Sequence, residues 1–595
     1  MPVGSPLRRI PWRFAATVMA VAGLATGVAA CGGGNKSSTS ASTQASTSGK
    51  TGGTLTLLSS GDVDDNLDPG YSYYQFDFVL TGALHRTLFT YKPNDTTAPS
   101  PDLAAGPAQI SDGGKTVTVK IKQGVKFSPP VNREVTSADV KYALERDFLP
   151  QVANGYATAY WGDITGSKDY AAGKAKSISG IETPDPQTIV IHLDRPTAAI
   201  VIGAMALPGS APVPEDYAAK YDAGKKSTYG EHVVFTGPYM IPNDSTGKIT
   251  GYQPGRSITL VRNPNWDKST DWRPAYLDKI LVKEGNDPTV GNRQVLTGQS
   301  MVSNHADLAP PPAILKQAST SYKSQFSNGP FTGRFRYIAM NTTVKPFDNI
   351  NVRKAVIAGM NKNALRLAFG GPLVGEIPTH YIAPSLAGFN EAGGMNGPDL
   401  DFMHTPNGDP ALAASYMKKA GYPSGKYTGG GTFQMVTDGA GAQKKVAETA
   451  LTSFEQLGFK VKLLAVERST MYSKYCSVPK AKVAICPSVG WLKDFADPQT
   501  VLDPTFNGKN ILPANNSNWP QLNDPAVNKA MDQAETILDP KQRAQAWGKI
   551  DDMVTADAPG VLWLWDKGPS LWSKNVNPVL NQENASWDLS FLSLK

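Results

Sequence analysis

Residues 113–142 read GGKTVTVKIKQGVKFSPPVNREVTSADVKY. From Thr116 to Lys122 the residues alternate, with Val117, Val119 and Ile121 on one side and threonine or lysine on the other. That period of two is the pattern of a half-buried strand. The run ends at the turn Gly124-Val125-Lys126-Phe127. Thr136, with Asp139 three positions later, forms the pattern of a capping box, in which each side chain satisfies a backbone N–H that the first helical turn leaves open. Beyond it Val140, Ala143, Leu144 and Phe148 share one helical face, so 137–148 is expected to be an amphipathic helix. A strand, a turn and a helix thus follow one another within this stretch and the residues just after it.

The same mixture continues along the chain. Strand patterns stand at 54–58, 188–193, 258–262, 432–437 and 460–466. Asp409-Pro410, Asp524-Pro525 and Asp539-Pro540 each place an aspartate at N-cap and a proline at N1, the strongest short signal for a helix start. A helix near 442–457 lies between two strand patterns, which makes a βαβ unit and implies parallel pairing. The fold class is α/β. At 595 residues the chain exceeds the ~250–300 that one core can serve, so two or more lobes are expected.

The N-terminus carries a different signal. Arg8, Arg9 and Arg13 precede an uncharged apolar run from Phe14 to Ala30, which ends in Val28-Ala29-Ala30-Cys31. A basic region, a short apolar region and small residues before a cut describe a secretory signal peptide over 1–30. A cysteine at this junction resembles a bacterial lipobox, with Cys31 lipidated as the mature N-terminus. An ordinary signal peptide or an anchor helix is the alternative. Residues 32–53 are Gly, Ser, Thr and other small or polar residues, the composition of a flexible tether. Of three cysteines, Cys476 and Cys486 remain, ten positions apart. Outside the cytoplasm they are expected to form one disulfide, worth roughly 3 kcal/mol for so short a loop; two buried thiols are the other reading.

Formal charge is +7, and the three leader arginines account for part of it. No Lys/Arg-dense run occurs, which argues against nucleic acid as a partner. The six histidines have no ligand spacing, HExxH and GxSxG are absent, and Gly224-Lys225-Lys226-Ser227 lacks the first glycine of a P-loop. No catalytic residue, metal site or cofactor is expected.

Seven short blocks, in order, resemble the bacterial extracytoplasmic solute-binding protein family 5, the oligopeptide and dipeptide receptors of ABC importers. They are Leu67-Asp68-Pro69; 84–91 with Pro101 to Ala104; 113–142; Phe235 to Tyr239 with 260–266; 337–356; Asp409 to Tyr422; and Gly490 to Pro498. Three features depart from the pattern: Ser128-Pro129-Pro130-Val131 stands where the family has Asp-Gly, 298–314 is long, and the Cys476–Cys486 loop precedes the Trp491 block.

The resemblance implies a type II periplasmic-binding-protein fold, two lobes around a ligand cleft with an extra domain beside the first lobe. The implied partition is 54–93, 231–330 and 562–595 for lobe I, 94–230 for the extra domain II and 331–561 for lobe III. It implies an extracytoplasmic, lipid-anchored monomer that captures a peptide by hinge closure and passes it unchanged to a membrane permease with ATPase subunits. Asp494 matches the position that salt-bridges a peptide's α-ammonium. Trp491, Phe495, Tyr71, Tyr73, Tyr74 and Asn341 are the other ligand-contact candidates, each with a packing or loop-capping role as the alternative. Asp497, before Pro498, reads as an N-cap. A non-peptide guest (a nickel chelate, haem, an opine or an oligosaccharide) and a secreted hydrolase are the competing functions.

Overall fold

The computed structural model describes residues 49–59, 63, 66–303 and 310–595. The expected signal peptide, Cys31 and most of the tether lie outside the described residues. Among the described residues, no helix is long and apolar enough to cross a membrane.

Three larger sheets organise the chain. The first has the order Val302–Ser303, Thr54–Leu58, Lys279–Lys283, Ser257–Arg262, Tyr239–Met240, with Tyr252–Gln253 also on Ser257–Arg262. Thr54–Leu58 is parallel to both its neighbours, while Ser257–Arg262 runs antiparallel to Lys279–Lys283. The second is an antiparallel sheet of Gln109–Ser111, Thr116–Lys120, Thr188–His192 and Ile181–Asp185. The third has the order Gly375–Glu376, Gly560–Lys567, Phe331–Met340, Ile485–Trp491, Phe433–Asp438, Val461–Val466. Phe433–Asp438 and Val461–Val466 pair in parallel through the helix Gly441–Gln456, which is the βαβ unit.

Local rules set the element ends. Asp139 accepts from the N–H of Thr136 at 2.8 Å, half of the capping box that opens the helix Ser137–Arg146. Asp409 accepts from the N–H groups of Ala411 and Leu412, and Asp524 from those of Ala526 and Val527. Gly560–Lys567 reads GVLWLWDK, and every residue but the last is buried. A strand covered on both faces needs no polar alternation.

One ribbon carries the chain between the first and third sheets. Phe326 pairs with Leu571, Phe331 with Lys567, Phe335 with Trp565 and Ala339 with Gly560, all antiparallel. Around it each sheet has its own apolar core: Leu57, Leu260 and Trp587 near the first, Val119, Ile191 and Trp161 near the second, Met340, Trp563 and Phe454 near the third.

Buried ion pairs fasten the second sheet's domain to the first. Asp68, from the Leu-Asp-Pro block, takes both terminal guanidinium nitrogens of Arg146 at 3.0 and 2.7 Å, and Asp222 takes its Nε at 2.6 Å. Removing one partner of such a pair strands a buried charge at a cost of about 3–5 kcal/mol. Ser128 stands in the departure from the Asp-Gly pattern. Its N–H donates to the carbonyl of Phe235 at 2.7 Å and its hydroxyl accepts from the N–H of Phe235 at 3.0 Å. The loop is thereby sewn to the Phe235 block. Cys476 and Cys486 are joined by a disulfide with Cα atoms 6.1 Å apart.

Lys362 is fully buried, and its ammonium donates to the carbonyl of Met403 at 2.9 Å. Burial pulls its pKa down from 10.5 to about 7. The folded state releases this proton more readily than the unfolded chain, so the residue's contribution to stability is complete above the ordinary lysine range and falls away as pH drops through about 7. Lys362→Met is expected to remove this slope. The difference in melting temperature, variant minus wild type, should shrink steadily as pH rises from 7 towards 10; a constant difference would show that Lys362 keeps its proton on folding.

Candidate functional site

A cleft of about 2050 Å³ lies between segments of all three sheets. One wall comes from the loop after Asp68. Its Tyr71 N–H donates to the Asp68 carbonyl at 2.9 Å, so the Arg146 ion pairs fix the loop. The N–H groups of Tyr73 and Tyr74 both donate to the Asp77 carboxylate, at 2.9 and 3.0 Å, which ends the loop and starts the helix Gln75–Leu84. Tyr71, Tyr73 and Tyr74 all line the cleft, and Tyr73 keeps 41% of its surface exposed.

The second domain adds two aromatic rings. Tyr156 stacks on Tyr73 with centroids 5.3 Å apart, Tyr160 stacks on Tyr156 at 5.8 Å, and Phe495 meets the edge of Tyr160 at 5.2 Å. Tyr156 and Tyr160 belong to a wide turn around Ala157–Trp161. Such i→i+5 turns are rare and frequent at functional sites.

Asp494 sits where this ladder ends. It follows the strand Ile485–Trp491 and lines the cleft in a half-buried position. The Tyr160 hydroxyl donates to its Oδ2, while the Tyr156 hydroxyl donates to the Tyr73 carbonyl at 3.3 Å. Desolvation pushes the Asp494 carboxyl up to about 7, against the Tyr160 hydrogen bond, which holds it down. The same carboxylate, after burial itself, raises the phenols of Tyr156 and Tyr160 well above their ordinary value. A carboxylate with so little water gains from a cation that brings its own hydrogen-bond donors.

Charge on the neighbouring walls is mixed. Lys493 is buried and lies 3.1 Å from Glu583, an ion pair that ties the Asp494 segment to the C-terminal residues under the first sheet. Arg334, Asp438 and Arg468 also line the cleft. The Tyr73 hydroxyl feels Asp494 and Arg468 with opposite signs, so charges of both kinds flank this ring.

Trp491 lines the cleft, and its indole N–H donates to the carbonyl of Thr500 at 2.7 Å. Trp519 stands beside it with ring centroids 6.0 Å apart. Asp497 accepts from the N–H of Gln499 at 2.8 Å at the start of the helix Gln499–Phe506, and pairs with Arg543 at 2.6 Å. It is a cap.

Two ligand-contact candidates are corrected. Asn341 is buried and does not line the cleft; it donates to the Val483 carbonyl at 3.1 Å and accepts from the N–H of Thr343 at 3.0 Å, a loop cap. Phe495 is also outside the cleft lining. It is 2% exposed and packs into the core of the second sheet's domain, where a side chain at Gly203 would collide with its ring. The sequence reading missed Tyr156, Tyr160, Lys493, Glu583 and Trp519. The pair Tyr156 and Tyr160, four residues apart, was visible in Tyr156-Ala157-Thr158-Ala159-Tyr160, but that segment has no periodicity to give it a face.

Lobes joined by one ribbon, with a large charged and aromatic cleft between them, are the architecture of a protein that closes around a solute. The family described as "Bacterial extracellular solute-binding proteins, family 5 Middle" matches residues 98–513, and the chain belongs to it. The glutathione-binding protein GsiB of Salmonella typhi is 26% identical over 535 residues, 88% of this chain and 90% of that protein. Di/tripeptide-binding protein 1 of Pseudomonas aeruginosa is 25% identical over 461 residues, 76% and 78% of the two chains. Among solved structures, clavulanic acid biosynthesis oligopeptide binding protein 2 superposes with a TM-score of 0.79 at 28% identity, covering 92% of this chain and 96% of that one. Members of this family are extracytoplasmic binding proteins.

Removal of the Tyr160 hydroxyl takes away a donor that holds the Asp494 carboxyl down. Tyr160→Phe is therefore expected to move the Asp494 titration upward from about 7. Carbon-13 NMR of labelled aspartate side chains, with Asp494→Asn for assignment, reads this directly. An unmoved midpoint would mean that the hydroxyl does not hold the carboxylate.

Proposed function

We propose that this chain is the receptor of an ABC importer for short peptides with a free amino terminus. It binds the peptide between its lobes, leaves it chemically unchanged and presents it to a membrane permease. A lipid on Cys31 holds it at the outer face of the cell membrane.

The observation that carries this reading is Asp494: a carboxylate stripped of much of its water, held by the Tyr160 hydroxyl, at the wall of a large cleft. A peptide α-ammonium supplies the missing positive charge and up to three donors. Arg468 and Arg334, on another part of the wall, suit the carboxylate at the other end of a zwitterion. Tyr73 and Trp491 offer flat faces for the atoms between. Size argues for more than a dipeptide. The cleft volume of about 2050 Å³ exceeds the roughly 300–1,000 Å³ of pockets that take drug-sized molecules. The names of the relatives, which are receptors for glutathione and for di- and tripeptides, support the same class of guest.

Titration calorimetry with trialanine, glutathione and N-acetyl-trialanine tests the proposal. The two free-amine peptides should bind and the acetylated one should bind far more weakly. Asp494→Ala is expected to cost about 2–5 kcal/mol for trialanine and to leave the weak binding of N-acetyl-trialanine nearly unchanged. Equal losses for both peptides would make Asp494 structural. Hydrolysis of any of these peptides during incubation would contradict the receptor reading.

A further inference from the structure

A second set of contacts crosses the cleft rim, remote in sequence from Asp494 on the domain side. Arg195 follows the strand Thr188–His192. One guanidinium nitrogen lies 2.8 Å from Glu535 Oε2 and 2.8 Å from the carbonyl of Asp532. Its other terminal nitrogen lies 3.3 Å from Asp163, which also accepts from the Thr197 hydroxyl at 3.0 Å. Asp163 and Thr197 are on Arg195's own side and aim it outward. Glu535 and Asp532 end the helix Pro525–Ala534 on the far side, 340 positions away in sequence for Glu535. A cation at a helix C-terminus is favoured by the helix dipole as well as by the carboxylate.

The receiving side is preassembled. Lys509 lies 2.7 Å from Glu535, 3.0 Å from Asp532 and 3.2 Å from Asp503, so it holds the three carboxylates together from within their own lobe. With Asp163 the cluster has four carboxylates against Arg195 and Lys509. Lys509 alone leaves it short of positive charge, and Arg195 brings the second cation from across the rim. Leu538, just beyond, packs against the core of the second sheet's domain near Gly114 and Pro196. Arg195, Asp163, Thr197, Asp503, Lys509 and Glu535 all line the cleft.

We propose that Arg195 is a releasable clasp that holds the second sheet's domain to the third sheet's lobe across the cleft mouth, and so sets how far the cleft opens. No chain connection enforces this contact, because the second domain leads back into the first sheet and the third sheet is reached through the ribbon. Glu535 is 5% exposed on its side chain, while Arg195 keeps 36%. A preorganised acceptor and a partly solvated donor make a tie that salt can screen, unlike the fully buried Arg146 pairs.

Distance measurement between two spin labels tests the clasp without any guest, so its outcome is independent of the peptide reading. Labels go on Ile110→Cys and Leu367→Cys, two exposed positions, in the full chain with Cys31→Ser so that the introduced thiols are the ones labelled. Wild-type protein at low salt should give one narrow distance distribution. Arg195→Ala should broaden it towards long distances, with at least a threefold larger share of open molecules. Glu535→Gln should do the same, the double variant should go no further than either single one, and 1 M sodium chloride should move the wild type to the same distribution. Superimposable distributions for wild type and both single variants, with unchanged melting temperatures, would overturn the proposal. So would a double variant whose effect is the sum of two independent ones.

Discussion

The antiparallel ribbon in which Phe326 pairs with Leu571 and Ala339 with Gly560 is the constraint on which the rest depends. It is made of two ladders, Phe326–Ser327 on Ser570–Leu571 and Phe331–Met340 on Gly560–Lys567, and its register shifts between them and again between Phe331 and Phe335 and between Arg336 and Tyr337. Two strands can twist and bend where two cores cannot, so a ribbon of this kind is where a hinge can act. Other contacts across the cleft are made by individual side chains, among them Tyr160 with Asp494, Lys493 with Glu583 and Arg195 with Glu535. The ribbon decides that such contacts can form and break together. Gly333 shows how tightly it is built, because a side chain there would strike Lys493, the residue next to the carboxylate.

Desolvation is the second theme. Asp494 and Lys362 both have pKa values moved to about 7 by burial, from opposite directions. Lys362 is locked in a core with one carbonyl for company, and its cost is borne by the fold. Asp494 faces a cleft, and its cost is recoverable by whatever brings a positive charge. The Arg146 pairs belong to the first kind: with both partners buried, they fix the loop that carries Tyr71, Tyr73 and Tyr74.

Local chemistry was legible in the sequence. The Thr136–Asp139 box, the three Asp-Pro helix starts and the βαβ unit at 433–466 are set by neighbours in the chain, and all stand in the structure. Membership of the solute-binding family was legible because its blocks are such local signatures in a fixed order. Less could be read of the site. Asn341 has the polarity of a ligand contact, but its inward path is set by Val483, which lies 142 positions away. Phe495 adjoins Asp494, yet a strand exit turns neighbouring side chains to different surroundings, and its ring enters the core of another domain. Tyr156 and Tyr160 stand in a wide turn that neither a period of 2 nor one of 3.6 describes. Partners such as Lys493 and Glu583 meet through the fold alone.

The account turns on a guest cation replacing water at Asp494. Nitrogen-15 NMR of trialanine labelled at its amino terminus and bound to the protein measures that cation itself. A free α-amino group titrates near 7.7–8.0. Paired with a desolvated carboxylate, it should stay an ammonium more than one unit higher, and should lose that shift in Asp494→Ala. A bound amino group that titrates as it does in free solution would contradict the account.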